Sequence, residues 1–291
     1  MKDQAYKLRQ MMSKTDKSMA RIITITSGKG GVGKTSITIN LAIALANMGY
    51  RVAIIDADFG FSNVDIMLGL STKYNLSHVV FGNKEIDEVI SKGPSGVMFI
   101  SGGTGVRELL DLDDYHINIF INKISKLDSL ADIVLIDTGA GLSHSTLKMV
   151  LAANEIILVT TPEPTSITDA YSIVKLVSSI DATKKFGLIS NRAETSREGK
   201  QVLDKFSDAA NRFLNIEIKK LGYIEYNSLA VKAVKHQVPF VLSSPDSKIS
   251  RQIIAIAEGI LLKGEGGYKS QHIGMFSYIN NLLRLFGSRN K

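Results

Sequence analysis

Gly28-Lys29-Gly30-Gly31-Val32-Gly33-Lys34-Thr35 fits the spacing G-x-x-x-x-G-K-[ST] with every required residue present. The chemistry of that spacing is phosphate binding. Glycines let the backbone fold tightly round an anion with its N–H groups turned inward. A helix that opens at the lysine adds the partial positive charge of its N-terminus. Lys34 is expected to reach the β- and γ-phosphates of a nucleotide, and Thr35 to offer its hydroxyl to Mg2+. Lys29 is an additional lysine that the spacing does not require. A cation at the start of the loop cannot easily curl onto its own γ-phosphate. It could instead reach the phosphates of a second subunit, as an arginine finger does. The other reading of Lys29 is an ordinary surface lysine.

Three carboxylates could serve the same ligand. Asp137 closes the apolar run Ile133–Ile136 and is followed by Thr138-Gly139-Ala140-Gly141. An acid at the end of a buried strand matches the position that holds a Mg2+-bound water, and the glycines permit a loop that responds to the γ-phosphate. Asp56 and Asp58 end the strand-like run after the P-loop helix. In a parallel sheet they share the ligand edge with the P-loop, where one could orient or deprotonate an attacking water. Helix capping is the alternative for any one of the three. Histidines 78, 116, 144, 236 and 272 form no close pair, so they are not expected to bind a metal.

Alternating strands and helices must hold these groups. Arg21–Ser27, Arg51–Asp56, Val97–Ser101, Ile133–Asp137, Glu155–Thr160 and Phe186–Asn191 are apolar runs of strand length, while Ser36–Met48 has helical spacing and stops at Gly49. Lys219–Tyr223 and Phe240–Leu242 are weaker strand candidates. Strands separated by helices predict βαβ units: an α/β fold whose doubly wound, mainly parallel sheet is covered on both faces. Lys263–Gln271 is Gly-rich and polar, hence a linker.

The 291 residues include no cysteine, which excludes disulfides, iron–sulfur clusters and thiolate zinc sites. Apolar residues make up 44%, ample for a core. No apolar run approaches the roughly 20 residues of a membrane span, and Met1–Ala20 lacks the apolar stretch of a secretory signal. A cytoplasmic protein is expected. The net charge of +7 is placed unevenly: residues 1–21 and residues 268–291 each carry +4, leaving the body between them at −1. Basic ends on a near-neutral body point to an anionic surface or an acidic partner, or simply aid solubility.

The stretch Lys29–Thr35 resembles the deviant Walker A motif of the MinD/ParA family of ATPases. Ile55-Asp56-Ala57-Asp58 with Asn63 and Asp65 resembles that family's switch I, and Asp137–Gly141 its switch II. Thr161-Pro162-Glu163 and Asn191-Arg192 resemble its nucleotide-base segments, and the likeness spans residues 20–262. The resemblance implies a dimerisation-coupled, Mg2+-dependent ATP hydrolase. ATP would lie on Gly28, Lys29, Gly30, Gly31, Val32, Gly33, Lys34, Thr35 and Ser36, with Pro162, Asn191 and Arg192 at the base. Lys29 would act across an ATP-sandwich dimer, Lys34 on the phosphates, and Asp58 as the hydrolytic aspartate. Thr35, Asp58 and Asp137 would serve the metal. The absence of cysteine separates the chain from iron–sulfur carriers of the same superfamily.

Both ends narrow the resemblance. Asp3-Gln4-Ala5-Tyr6-Lys7-Leu8-Arg9 resembles the opening segment of the FlhG (YlxH) branch, MinD-like regulators of flagellar number. There it implies activation of an FlhF-type, signal-recognition-particle GTPase through Asp3, Gln4, Ala5, Leu8 and Arg9, and work with a flagellar C-ring protein. At the other end Met275, Phe276, Ile279, Leu282, Leu283 and Phe286 fall within one arc of roughly 120° on a helix. With an acid-free flank, that stripe is read as an amphipathic helix for the anionic inner membrane surface. A helix packed on the domain's own core is the alternative. The expected organisation is a partner-activating segment over 1–19, an ATPase domain over 20–262, a linker over 263–273 and the amphipathic helix over 274–291. The rival readings are a MinD-type regulator of the division site and a ParA-type ATPase that partitions DNA. The near-neutral body speaks against DNA.

Overall fold

The computed structural model describes residues 19–58, 64–82, 84–103, 114–262 and 273–287. Among the described residues eight strands form one sheet in the order β3-β4-β2-β5-β1-β6-β7-β8. They are β1 (Arg21–Thr26), β2 (Val52–Ala57), β3 (Ser91–Lys92), β4 (Met98–Ser101), β5 (Ile133–Thr138), β6 (Glu155–Thr160), β7 (Lys185–Ala193) and β8 (Ile218–Glu225). Every pairing is parallel except that of β3 with β4. The strand order reverses beside β1, so the loops after β1, β2 and β5 open on one edge, the place where doubly wound sheets bind ligands.

Among the described residues, eight helices have nine residues or more. They are α1 (Lys34–Asn47), α2 (Asp114–Ile124), α3 (His144–Ala152), α4 (Pro164–Ile180), α5 (Ser196–Leu214), α6 (Ser228–His236), α7 (Lys248–Leu261) and α8 (Gly274–Gly287). The strands read as continuous Ile/Val runs because both faces are covered. Ile23, Ile25, Ile54 and Leu135 pack with α1 and α7 on one face. Their neighbours Ile22, Ala53, Ile55, Val134 and Ile136 pack with α2, α3 and α8 on the other. This period of two decides the site: Asp56 falls with Ile54, and Asp137 with Leu135, so both carboxylates share the α1 face.

The six stronger strand expectations are borne out, and Lys219–Tyr223 lies inside β8. Phe240–Leu242 is a correction, because Phe240–Ser243 forms a single helical turn. Its backbone is satisfied by side chains and not by a neighbouring strand: the Val241 N–H donates to Asn40 Oδ1 at 3.0 Å, and the Phe240 carbonyl accepts from Ser250 Oγ at 3.1 Å. Residues 1–18 of the expected partner-activating segment with Asp3–Arg9, residues 263–272 of the expected linker, residues 288–291 of the expected amphipathic helix, and Asn63 lie outside the described residues.

The terminal helix α8 is seated on the sheet. Met275, Tyr278, Ile279 and Leu282 are buried against Ile55, Ala57, Ile136, Phe120 and Met149. The Tyr278 hydroxyl donates to the Met149 carbonyl at 3.2 Å. Phe276, expected on the apolar arc, is 53% exposed. At about 100° per residue, the seated face is turned by roughly 50° toward Tyr278 from the arc read in the sequence. Asp128 Oδ1 accepts the Met275 N–H at 2.8 Å and the Ala20 N–H at 3.2 Å, joining the start of this helix to the lead-in of β1.

Candidate nucleotide site

The loop after β1 is shaped by close approach. A Cβ on Gly28 would lie 2.4 Å from the Asp169 carbonyl carbon in α4, so only glycine fits there. Gly33 has a φ of +92°, and a Cβ on it would lie 2.5 Å from Asn191 Nδ2. Gly33 is also the N-cap of α1 and provides no side-chain cap. The first N–H groups of α1 are therefore open to an anion. The Gly141 N–H donates to the Ser27 carbonyl at 2.8 Å, and Thr138 Oγ1 to the Ile25 carbonyl at 3.1 Å, which ties the loop after β5 to the P-loop.

Asp137 is buried at the end of β5 and gathers three donors from α1. Lys34 Nζ lies 2.9 Å from Oδ1, Thr35 Oγ1 lies 2.7 Å from Oδ2, and Thr38 Oγ1 lies 2.9 Å from Oδ1. A buried carboxylate is stable only when paired and hydrogen-bonded, and these groups supply both. The two side chains expected on phosphate and metal are thus both brought to Asp137. Thr38 was missed by the sequence reading. Its signal is a hydroxyl one turn beyond Lys34, set between Ile37 and Ile39.

Asp56 receives the Asp58 N–H on Oδ1 at 3.1 Å and the Val64 N–H on Oδ2 at 3.4 Å. Asp58 is half-buried and its carboxylate faces Gly139, whose Cβ position lies 3.3 Å from Asp58 Oδ1. The two switch-like loops therefore meet. Asp65 bonds locally, accepting the Ile66 N–H at 2.7 Å.

Asn191 reaches the P-loop, where its Nδ2 donates to the Val32 carbonyl at 2.7 Å. Arg192 is exposed with φ 59°, and Pro162 is half-buried in the turn before α4. Gly30 and Gly31 are exposed at the loop crest, Val32 is buried, and Ser36 is half-buried in the first turn of α1. Lys29 Nζ lies 2.6 Å from Glu163 Oε2 and 3.2 Å from Thr165 Oγ1, at the solvent-facing rim. The Lys29 hydrogen bond, with Lys29 and Arg192 charge nearby, holds the Glu163 carboxyl below the usual carboxylate range.

Among the described residues no group of three His, Asp or Glu could cage a metal. Thr35 and Asp137 do set a hydroxyl and a carboxylate beside each other, with the Lys34 ammonium drawn to the same carboxylate. Hard oxygen donors, few in number, fit Mg2+, which keeps waters and takes its remaining ligands from substrate phosphates.

A strand, a glycine loop, a lysine-led helix and a carboxylate on the neighbouring strand define a P-loop NTPase. Residues 18–261 match the ParA family description, a NUBPL iron-transfer P-loop NTPase. With this match over most of its length, the chain belongs to the ParA/MinD family of ATP-binding P-loop ATPases. It is 37% identical over 240 residues to the antiactivator FleN of Pseudomonas aeruginosa, covering 82% of this chain and 86% of that one. It is 34% identical over 275 residues to the flagellum site-determining protein YlxH of Helicobacter pylori, covering 94% and 92%. Among solved structures, the septum site-determining protein MinD complexed with Mg-ADP from Pyrococcus horikoshii superposes with a TM-score of 0.66 at 28% identity, over 83% of this chain and 96% of that one. The iron-transfer part of the family description finds no thiolate here, since the chain has no cysteine.

Proposed function

We propose that this chain is an ATP-hydrolysing switch that regulates the number or placement of flagella from the cytoplasmic face of the membrane. The observation that carries the catalytic part is the gathering of Lys34 and Thr35 on buried Asp137 beside an uncapped helix N-terminus. The flagellar part rests on the likeness to FleN and YlxH over most of each chain.

The residues would work as follows. The loop Gly28–Gly33 wraps the phosphates with its N–H groups, and Lys34 leaves Asp137 to pair with them. Thr35 and Asp137 would hold Mg2+, which when bound would supply positive charge to the phosphate oxygens. Asp58, beside Gly139, orients the water that attacks. Pro162, Asn191 and Arg192 flank the base. Lys29 leaves Glu163, an exposed partner it can release at little cost, and enters the site of a second subunit. Closure of this dimer would free α8 for an anionic membrane, and two tethered copies bind more strongly than one by about 10²–10⁴. Residues 3–9 would meet an FlhF-type GTPase and another surface a flagellar C-ring protein.

Two variants test the core of this reading. Lys34→Ala should abolish nucleotide binding in a titration. Lys29→Ala should bind nucleotide within about twofold of the parent yet stay monomeric with ATP on sizing. A Lys29→Ala protein that still dimerises with ATP sinks the trans role.

A further inference from the structure

Among the described residues Asp137 has three donors, and two of them have duties elsewhere once nucleotide arrives. Lys34 Nζ, 2.9 Å away, is drawn to phosphate, and Thr35 Oγ1, 2.7 Å away, is drawn to Mg2+. Only Thr38 has no such duty. It is fully buried, lies one turn deeper in α1, and holds its Oγ1 2.9 Å from Asp137 Oδ1. The same hydroxyl is 3.0 Å from the Lys34 carbonyl. One hydroxyl proton faces two acceptors, and the charged carboxylate is the stronger of them.

We infer that Thr38 is the positioning residue of the metal site, keeping the Asp137 carboxylate aimed while Lys34 and Thr35 turn to their ligands. This rests on the nucleotide reading proposed above. Without Thr38, Asp137 would lose its last protein donor at the moment Mg2+ arrives. Its carboxylate would then be free to rotate or to keep Lys34 from the phosphates. The carbonyl of Lys34 gives the hydroxyl an alternative partner, so Thr38 remains hydrogen-bonded whichever way its proton points. Thr38 touches neither phosphate nor metal in this scheme and works only through Asp137.

The test is ADP binding by full-length protein, titrated with and without Mg2+. Thr38→Val keeps the shape and removes the hydroxyl, while Thr38→Ser keeps the hydroxyl. A hydrogen bond to a charged group is worth about tenfold or more in an equilibrium. Thr38→Val should therefore bind ADP without Mg2+ within about twofold of the parent but lose about tenfold of the gain that Mg2+ confers. Thr38→Ser should recover most of that gain. If the valine variant does not fold, Thr38→Ala carries the same comparison. Equal losses with and without Mg2+ would show a packing role and overturn the inference, as would an unchanged Mg2+ gain. A parent protein that binds no nucleotide, or binds it without regard to Mg2+, would overturn the nucleotide reading and this inference with it.

Discussion

Strands β2 and β5 carry two unlike regions on opposite faces. Toward α1 they present Asp56 and Asp137 to a polar cluster; toward α8 they present Ile55, Ala57 and Ile136 to an apolar seat. The polar region is held by a few short, directional bonds to one carboxylate. Such bonds can be exchanged one at a time for those of a ligand, so the site can be both filled and stable without nucleotide. The apolar region is held mainly by area, with hydrogen bonds at Met275, Tyr278 and Asn281. Area cannot be exchanged piecemeal, so α8 is seated as a unit or leaves as one. Helix α3 joins the two, since it follows the loop after β5 and offers Met149 to Tyr278.

The contrast can be broken most severely at Asp137. Asp137→Ala leaves Lys34 buried without its partner, and loss of one member of a buried pair typically costs about 3–5 kcal/mol. Urea unfolding should show a loss of that size, together with loss of Mg2+-dependent ADP binding. An unchanged midpoint would mean that the polar region is not held by this carboxylate.

Leu282→Ala attacks the other face. A buried leucine shortened to alanine costs about 2–5 kcal/mol, here charged to the seat of α8. Hydrogen exchange across 274–287 should quicken strongly while ADP affinity stays within about twofold. If affinity fell in step, the two faces would not be separable as described.

Phe276→Ser should produce the smallest change and sharpen the picture. The ring is 53% exposed, so seating should shift by no more than about 0.5 kcal/mol by hydrogen exchange. Sedimentation with anionic liposomes in ATP should nonetheless weaken, because the ring is free to enter lipid. A variant that sediments as the parent does would remove Phe276 from the proposed membrane face.

The polar region was largely legible in the sequence and the apolar one only in outline. Gly28 to Thr35 has a spacing with few other uses, and Asp137 stands where an apolar run meets glycines. Thr38 was hidden because a hydroxyl between Ile37 and Ile39 does not say what it faces; only the packing of α1 on β5 brings it to Asp137. For α8 the periodicity gave the helix but not its partner, since a sheet and a bilayer ask for the same stripe. Tyr278 falls outside the roughly 120° arc of that stripe, yet its hydroxyl finds the Met149 carbonyl and the ring goes in. The order of the strands was not legible, because the similar apolar runs of β1, β2, β5 and β6 contain nothing that says which lie side by side.

Burial of Tyr278 has an optical consequence. Burial pushes its phenol well above the usual tyrosine range, so the seated side chain stays neutral where exposed tyrosines ionise, near pH 10. Because the proton is held more tightly in the seated state, seating has its full strength below about pH 10 and weakens as the pH rises beyond it. The chain has no tryptophan and nine tyrosines, so tyrosinate absorbance can be read with no indole background. Late ionisation of the Tyr278 phenol in a spectrophotometric alkaline titration therefore marks the helix as seated and is lost when the helix has left, so the molecule reports the position of α8 without a label.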